Sequence, residues 1–219
     1  MENTIFAKIS SGLAEIQFAN KTGEVTKKTI TVKDFLDIIQ GAVREDGRRL
    51  GSMPKGHYDL KLISLEDNTY KIYVVVKGER RKAEYFEEEF VIPYPNLFFS
   101  FSITKGNVTG SKCFALKDAV TNVSDDSMLY HFPLANVYNS GEICWGSNNL
   151  PEIEHFSDID FLVSLFFSCP YNEDLFDMEH LSEKYRCSQL EIFQMLSSSE
   201  TFPVDMLKES GTTVGELID

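Results

Sequence analysis

Positive charge is what this 219-residue chain has least of: 21 Lys and Arg stand against 34 Asp and Glu, a formal charge of −13. Phosphate contacts need clustered cations, so that balance argues against a nucleic-acid substrate. Histidine and cysteine are also scarce, at four each. Cys113, Cys144, Cys169 and Cys187 are widely spaced, with no CxxC pair and no histidine cluster at ligand spacing. The pattern argues against a zinc site, and neither a metal nor a cofactor is expected. No apolar run approaches membrane-spanning length, so no membrane partner is expected. The opening Met1-Glu2-Asn3-Thr4 lacks the basic start and apolar run of a signal peptide. Free thiols in a reducing cytoplasm are the default expectation.

What the chain does have is apolar material: 42% hydrophobic residues, 12% of all residues aromatic, enough for a sizeable core. The length suits one large domain or a core domain with appendages. Charge is uneven along it. Residues 1–82 carry 15 basic and 11 acidic side chains, and residues 83–219 carry 6 and 23. Such an asymmetry can orient a protein partner, although charge runs commonly serve as solvated faces.

Residues 4–10, 13–19 and 25–30 read as three short strands joined at Ser10-Ser11-Gly12 and Asn20-Lys21-Thr22-Gly23. Thr31 with Asp34 predicts a capped helix over 31–43, whose apolar face holds Val32, Phe35, Leu36, Ile39, Ala42 and Val43. Glycines and Pro54 in 45–57 mark a loop. From Tyr58 the apolar period changes to two. Strands are predicted through Leu60–Ser64, Tyr70–Lys77, Lys82–Ile92, Leu97–Thr104 and Lys112–Leu116. Their turns fall at Asp67-Asn68, a hairpin tip at Lys77-Gly78-Glu79, Pro93 to Pro95, and Lys105-Gly106-Asn107. The period then returns to that of a helix: Ser157 caps an apolar helix to Ser168, one or two helices cover Met178–Ser198, and a short helix and acidic tail follow Pro203. The expected fold class is therefore α+β: an antiparallel β-meander flanked by helices, with an N-terminal strand-and-helix extension and C-terminal helices. The expected organisation is 1–56 as that extension, 57–180 as the core and 181–219 as a helical extension.

One stretch carries chemistry. Asn139-Ser140-Gly141 is turn chemistry, and Ile143-Cys144-Trp145 follows at once, so a thiol leaves a tight turn beside two large apolar residues. Asn136 stands eight residues before Cys144 and offers a side-chain amide near the sulfur. A lone cysteine is more often a small buried hydrophobe. Cys113 in an apolar strand and Cys169 at an apolar helix end read that way. Cys187 follows Arg186 on what reads as a helix surface. Cys144, with its turn and its asparagine, is the candidate nucleophile.

That order of residues resembles the active-site segment of ubiquitin-conjugating enzymes: His-Pro-Asn, a turn ending in glycine, then Ile-Cys, with the same eight-residue step. Here the tripeptide reads Leu134-Ala135-Asn136, keeping only the asparagine. The wording from Leu129-Tyr130-His131-Phe132-Pro133 through Asn136-Val137-Tyr138 to Gly141-Glu142-Ile143-Cys144-Trp145-Gly146 is similar to a bacterial branch. This is the prokaryotic ubiquitin-conjugating-like family D, which includes the PRTRC system protein B group. Phe114-Ala115-Leu116-Lys117 and Pro93-Tyr94-Pro95-Asn96-Leu97-Phe98-Phe99 resemble the same pattern.

The resemblance implies a ubiquitin-conjugating-enzyme-like fold and an acyl carrier. Cys144 would accept a ubiquitin-like protein from an activating enzyme as a thioester and pass it to an amine. Asn136 would supply an oxyanion donor or organise the turn. Trp145 would shield the thioester and Tyr138 would complete the turn; Asp158 or Asp160 would orient or deprotonate the attacking amine, and His155 is the histidine nearest past the turn. The alternative is a non-catalytic module on the same fold that binds a ubiquitin-like protein or scaffolds a complex. A thiol hydrolase would want His131, His155, His57 or His180 against the sulfur, and no histidine motif marks one. The implied partners are an activating enzyme, a ubiquitin-like protein and a JAB-type isopeptidase of the same system.

Overall fold

The computed structural model describes residues 4–10, 13–19, 25–33, 35, 52–64 and 67–219. The chain divides into two compact units, the first built from 1–74, 100–110 and 150–161, the second from 75–99, 111–149 and 162–219.

In the first unit, β1 (Thr4–Ser10), β2 (Leu13–Ala19) and β3 (Val25–Thr31) form an antiparallel sheet in that order. Ile9, Ala14 and Ile16 are buried from it. The strands β4 (His57–Ser64), β5 (Thr69–Val76) and β8 (Asn96–Thr104) run in the order β8-β5-β4 within a six-stranded sheet, β5 as far as Val74 and β8 from Ser100 counting to this unit. Leu60 and Leu62 of β4 point inward, as the period of two requires. The backbone N–H groups of Ile9 and Leu60 donate to the buried Asp59 carboxylate at 3.1 and 2.8 Å. Val32, Lys33 and Phe35 are helical. The rest of the helix expected over 31–43, with its Asp34 capping partner and the turns at 11–12 and 20–23, lies outside the described residues.

In the second unit the order is β11-β10-β9-β8, from β9 (Asn107–Leu116), β10 (Met128–Tyr130) and β11 (Glu209–Thr213). The strands β6 (Arg80–Tyr85) and β7 (Glu88–Pro93) form a separate two-stranded sheet. Helix α1 (Ile159–Ser168) ends in this unit, and α2 (Gln189–Ser197) and α3 (Val214–Ile218) follow. The core is aromatic. Phe166 meets Phe99 and Phe132 edge-on at 5.2 and 5.3 Å, and Phe167 meets Tyr94 at 5.1 Å. The Tyr94 and Tyr171 hydroxyls are 3.1 Å apart. Burying rings of this size is worth several kcal/mol each, roughly 3–5 on truncation to Ala. This packing fixes the last turn of α1 and the Cys169-Pro170 corner that follows it.

Four expectations need correction. Lys77-Gly78-Glu79 is not a hairpin tip, because β6 pairs with β7 and not with β5. Gly78 is demanded instead by close backbone approach: a Cβ there would lie 2.7 Å from the Pro95 carbonyl carbon and against the Tyr94 carbonyl oxygen. The strand expected over Lys82–Ile92 is broken at Phe86 and Glu87, both at positive φ, where no Gly or Asn announces a turn. Ser157 does not cap α1; His155 holds the N-cap position of a 3-10 turn over Phe156–Asp158 that leads into it. The C-terminal region is not wholly helical. It contains 3-10 turns at Met178–His180 and Glu183–Tyr185, and Glu209–Thr213 pairs with β10, Met128 opposite Thr213 and Tyr130 opposite Glu209.

Candidate active site

Residues 136–144 form a short β-hairpin. Cys144 N–H donates to the Asn136 carbonyl at 2.8 Å, Tyr138 N–H to Glu142 at 2.8 Å, and Gly141 N–H to Tyr138 at 2.8 Å. Val137 and Ile143 pair between these rungs. The loop is thus Asn139-Ser140-Gly141, three residues closed by a glycine at φ 83°, the usual left-handed end of such a loop. Only glycine fits here for a second reason: a Cβ would lie within 2.7 Å of the Phe114 ring. The returning arm lies along β9, Gly141 accepting from Cys113 N–H at 2.8 Å and Ile143 N–H donating to Ser111 at 3.0 Å. With Val137 and Ile143 buried beneath it, the hairpin is held rigidly against the sheet.

Cys144 is half-buried at the open end of this hairpin, in the wall of a cavity of about 390 Å³. Asn136 sits at φ 69°, a conformation asparagine tolerates better than most residues, and its Nδ2 donates to the Pro170 carbonyl at 3.0 Å. The Trp145 indole N–H donates to the Ser111 hydroxyl at 2.8 Å. Asn148 Nδ2 donates to the Trp145 carbonyl at 2.9 Å and contacts the Cys169 sulfur at 3.5 Å. Tyr138 is exposed, and the neighbouring Cys144 thiol pushes its phenol pKa up.

The far wall is the chain after α1: Cys169, Pro170, Asn172, Asp174 and Leu175. Asp174 accepts from Asn172 Nδ2 at 3.2 Å, and the Asn172 side chain in turn accepts from Asp174 N–H at 2.9 Å. Leu175 lies at φ 63°, a strained conformation for a branched side chain. The cavity therefore joins two thiols, five amide-bearing or hydroxyl side chains and one carboxylate. No histidine lines it. His131 stacks instead on His180, rings 4.2 Å apart and nearly parallel.

Of the sequence candidates, Cys144, Asn136, Tyr138 and Trp145 come together. Asp158 and His155 belong to the first unit, where the Asp158 carboxylate accepts from the backbone N–H groups of Glu154 and His155 at 3.0 and 2.8 Å. The Asp160 carboxylate there accepts from Lys55 N–H at 2.8 Å. Cys113 is wholly buried, as expected of a core thiol. Cys169, read as core, is buried but faces the cavity. Burial and then Glu191 push the Cys187 thiol up, so its basic neighbour does not activate it. Asn148, Cys169, Asn172 and Asp174 were not singled out as site residues, because they join the site through folding and not through any local motif.

Prokaryotic E2 family D matches residues 65–210, about two thirds of the chain. The chain belongs to this family. No curated protein and no solved structure is significantly similar to it. The matched stretch contains the whole hairpin, Cys144 and the far wall of the cavity. Membership makes this a bacterial E2-like protein and associates it with ubiquitin-like conjugation systems. Among the described residues no helix is long and apolar enough to cross a membrane.

Proposed function

We propose that the protein is a conjugating enzyme for a ubiquitin-like protein, built on a ubiquitin-conjugating-enzyme-like fold, with Cys144 as the thioester carrier. The observation that carries this reading is the position of Cys144: a half-buried thiol at the end of a rigid hairpin, opening into a cavity, in a chain of an E2 family. The Cys144 thiolate attacks the carbonyl of the thioester delivered by an activating enzyme, a tetrahedral intermediate forms, and the activating enzyme's thiolate leaves. An amine then attacks the Cys144 thioester, its nitrogen releases a proton to solvent or a nearby carboxylate as the C–N bond forms, and the C–S bond breaks with Cys144 leaving as thiolate. Such acyl exchange between activated esters needs positioning and oxyanion stabilisation more than a strong base, which suits a cavity without histidine.

Asn136 is the turn-organising residue in this reading. One N–H of its amide is held by Pro170, which locks the hairpin against the corner after α1, and the second N–H remains to face an oxyanion. Asp174, on the far wall, replaces Asp158 as the carboxylate suited to receive the attacking amine. Tyr138 lines the cavity beside the thiol, and Trp145, anchored by Ser111, shields the thioester from water.

The partners are an activating enzyme and the ubiquitin-like protein it adenylates, with a JAB-type isopeptidase as the enzyme that reverses the linkage. Incubation with activating enzyme, ATP and ubiquitin-like protein tests the reading: an adduct that a thiol reductant cleaves and that Cys144→Ala abolishes is expected. An adduct retained by Cys144→Ala refutes it.

A further inference from the structure

The cavity holds a second thiol. Cys144 ends the hairpin and Cys169 follows α1, 25 positions later, and two asparagine side chains clamp these segments together. Asn136 pairs with the Cys144 backbone through its carbonyl, and through its amide it grips Pro170, the residue after Cys169. Asn148 works from the other side: the same nitrogen reaches the Trp145 carbonyl, next to Cys144, and the Cys169 sulfur. The Cys169 S–H donates back to the Leu165 carbonyl at 3.3 Å, which leaves the sulfur lone pairs directed away from the helix. Both thiols thus face one cavity, tied by contacts on either side. Cys113, fully buried, and Cys187 do not line it.

The two thiols are unequal. Cys144 is half-buried, whereas Cys169 is only 8% exposed. Burial, and then the charge of the Cys144 thiolate, push the Cys169 thiol up. An oxidant therefore meets Cys144 first, and Cys169 stands behind it as a protonated thiol.

We infer that Cys144 and Cys169 are a redox pair that closes into an intramolecular disulfide when a hydroperoxide oxidises Cys144. The Cys144 thiolate attacks an oxygen of the hydroperoxide. The S–O bond forms as the O–O bond breaks, and the departing alkoxide or hydroxide takes up a proton to leave as alcohol or water. The Cys169 sulfur then attacks the Cys144 sulfur of the resulting sulfenic acid. The S–S bond forms, the S–O bond breaks, and hydroxide leaves as water with the Cys169 proton. Two thiols give up two electrons, and the hydroperoxide is reduced by two. The disulfide protects Cys144 from irreversible oxidation. Resting on the proposed function, it also removes the sulfur needed for thioester formation until a thiol reductant restores it.

The test is peptide mapping of the whole reduced protein after hydrogen peroxide, with remaining thiols alkylated before digestion under non-reducing conditions. The expected map joins the Cys144 peptide to the Cys169 peptide, shows both cysteines protected from alkylation, and is reversed by dithiothreitol. In Cys169→Ser, whose folding is checked by its melting curve, Cys144 should be trapped by dimedone as sulfenic acid and go on to reductant-resistant sulfinic acid. The inference is overturned if wild-type Cys144 goes to sulfinic acid while Cys169 stays alkylatable. It is equally overturned if both thiols stay free, or if Cys144 links only to a second chain. Should the variant fail to fold, the wild-type map decides alone. Because the disulfide is read by mass and the thioester by charging, either reading can fail without the other.

Discussion

Cys144 and Asn136 face each other as the last pair of a hairpin, the N–H of Cys144 on the carbonyl of Asn136 at 2.8 Å. The eight-residue step between them is the hairpin itself: three residues out, a three-residue loop, three residues back. Asn136 also occupies a left-handed conformation and holds Pro170. Two substitutions should therefore separate its roles. Asn136→Gly keeps the backbone at ease and loses the amide, costing about 1 kcal/mol. Asn136→Ala adds backbone strain of roughly 1–2 kcal/mol for a left-handed Cβ. Both should slow discharge of the thioester to an amine by about 10²–10³-fold if the amide stabilises the oxyanion. Equal melting temperatures for Gly and Ala would contradict the backbone assignment. Normal discharge by Asn136→Gly would leave Asn136 a purely structural residue.

Gly141 is expected to be the least replaceable residue of the turn. A Cβ there meets the Phe114 ring and sits at φ 83°. Gly141→Ala should lower the melting temperature markedly, and adding Phe114→Ala should not rescue it, because the backbone penalty persists and a new void forms. Thermal unfolding of the two variants checks this; full rescue would mean the clash was the sole reason for glycine.

Trp145, the chain's single tryptophan, makes the site its own fluorophore. Loss of its 2.8 Å hydrogen bond in Ser111→Ala should cost about 1 kcal/mol and shift the emission to longer wavelength as the half-buried indole loosens. Alkylating Cys144 should change the same emission. Spectra insensitive to both would contradict the placement of the indole beside the thiol.

The His131–His180 stack sets an acid limit. Burial lowers the His131 pKa from 6.5 to about 4, aided by His180 and then Lys208 and opposed by Asp177. Burial likewise lowers His180, with Asp177 opposing and Lys208 aiding. Both rings bind protons less readily folded than unfolded, so their contribution is complete above pH 6.5 and is lost as the pH falls toward about 4. His180→Phe keeps a stacked plane while removing one titrating ring and a buried Nε2 that has no hydrogen-bond partner. A melting-temperature series should show a shallower acid decline in that variant; an unchanged slope would place the acid sensitivity elsewhere.

Much of this was legible in the residues. The strands at 4–10, 13–19 and 25–31 and the turns at Asn68 and Lys105-Gly106 follow from alternation and turn chemistry. The turn at Asn139-Ser140-Gly141 and the nearness of Asn136 to Cys144 follow from spacing and Gly141, whereas their backbone pairing and the amide's grip on Pro170 do not. What was hidden has physical causes. Phe86-Glu87 turns the chain at positive φ without the residues that signal it. Glu209–Thr213 is a half-exposed strand with no apolar alternation, and it forms because β10 offers it a partner. The far wall of the cavity comes from a corner after α1 whose place depends on the Phe99, Phe132 and Phe166 packing, a long-range fact that no local pattern carries. Asp158 looked available for chemistry at a helix start, but its carboxylate is taken by two backbone N–H groups.

The most direct measurement is the charging reaction of Cys144, with activating enzyme, ATP and ubiquitin-like protein, read on non-reducing and reducing gels. Wild type should form an adduct that reductant removes. Cys144→Ser should form a more stable oxyester or nothing, and Cys144→Ala should form nothing while melting near the wild-type temperature, since exchange of a thiol for a methyl costs little packing at a half-buried turn. Persistence of the reductant-sensitive adduct in Cys144→Ala would put the nucleophile on another cysteine. Stable binding of the ubiquitin-like protein by wild type, without any covalent adduct, would make the protein a binding module and contradict the carrier role of Cys144.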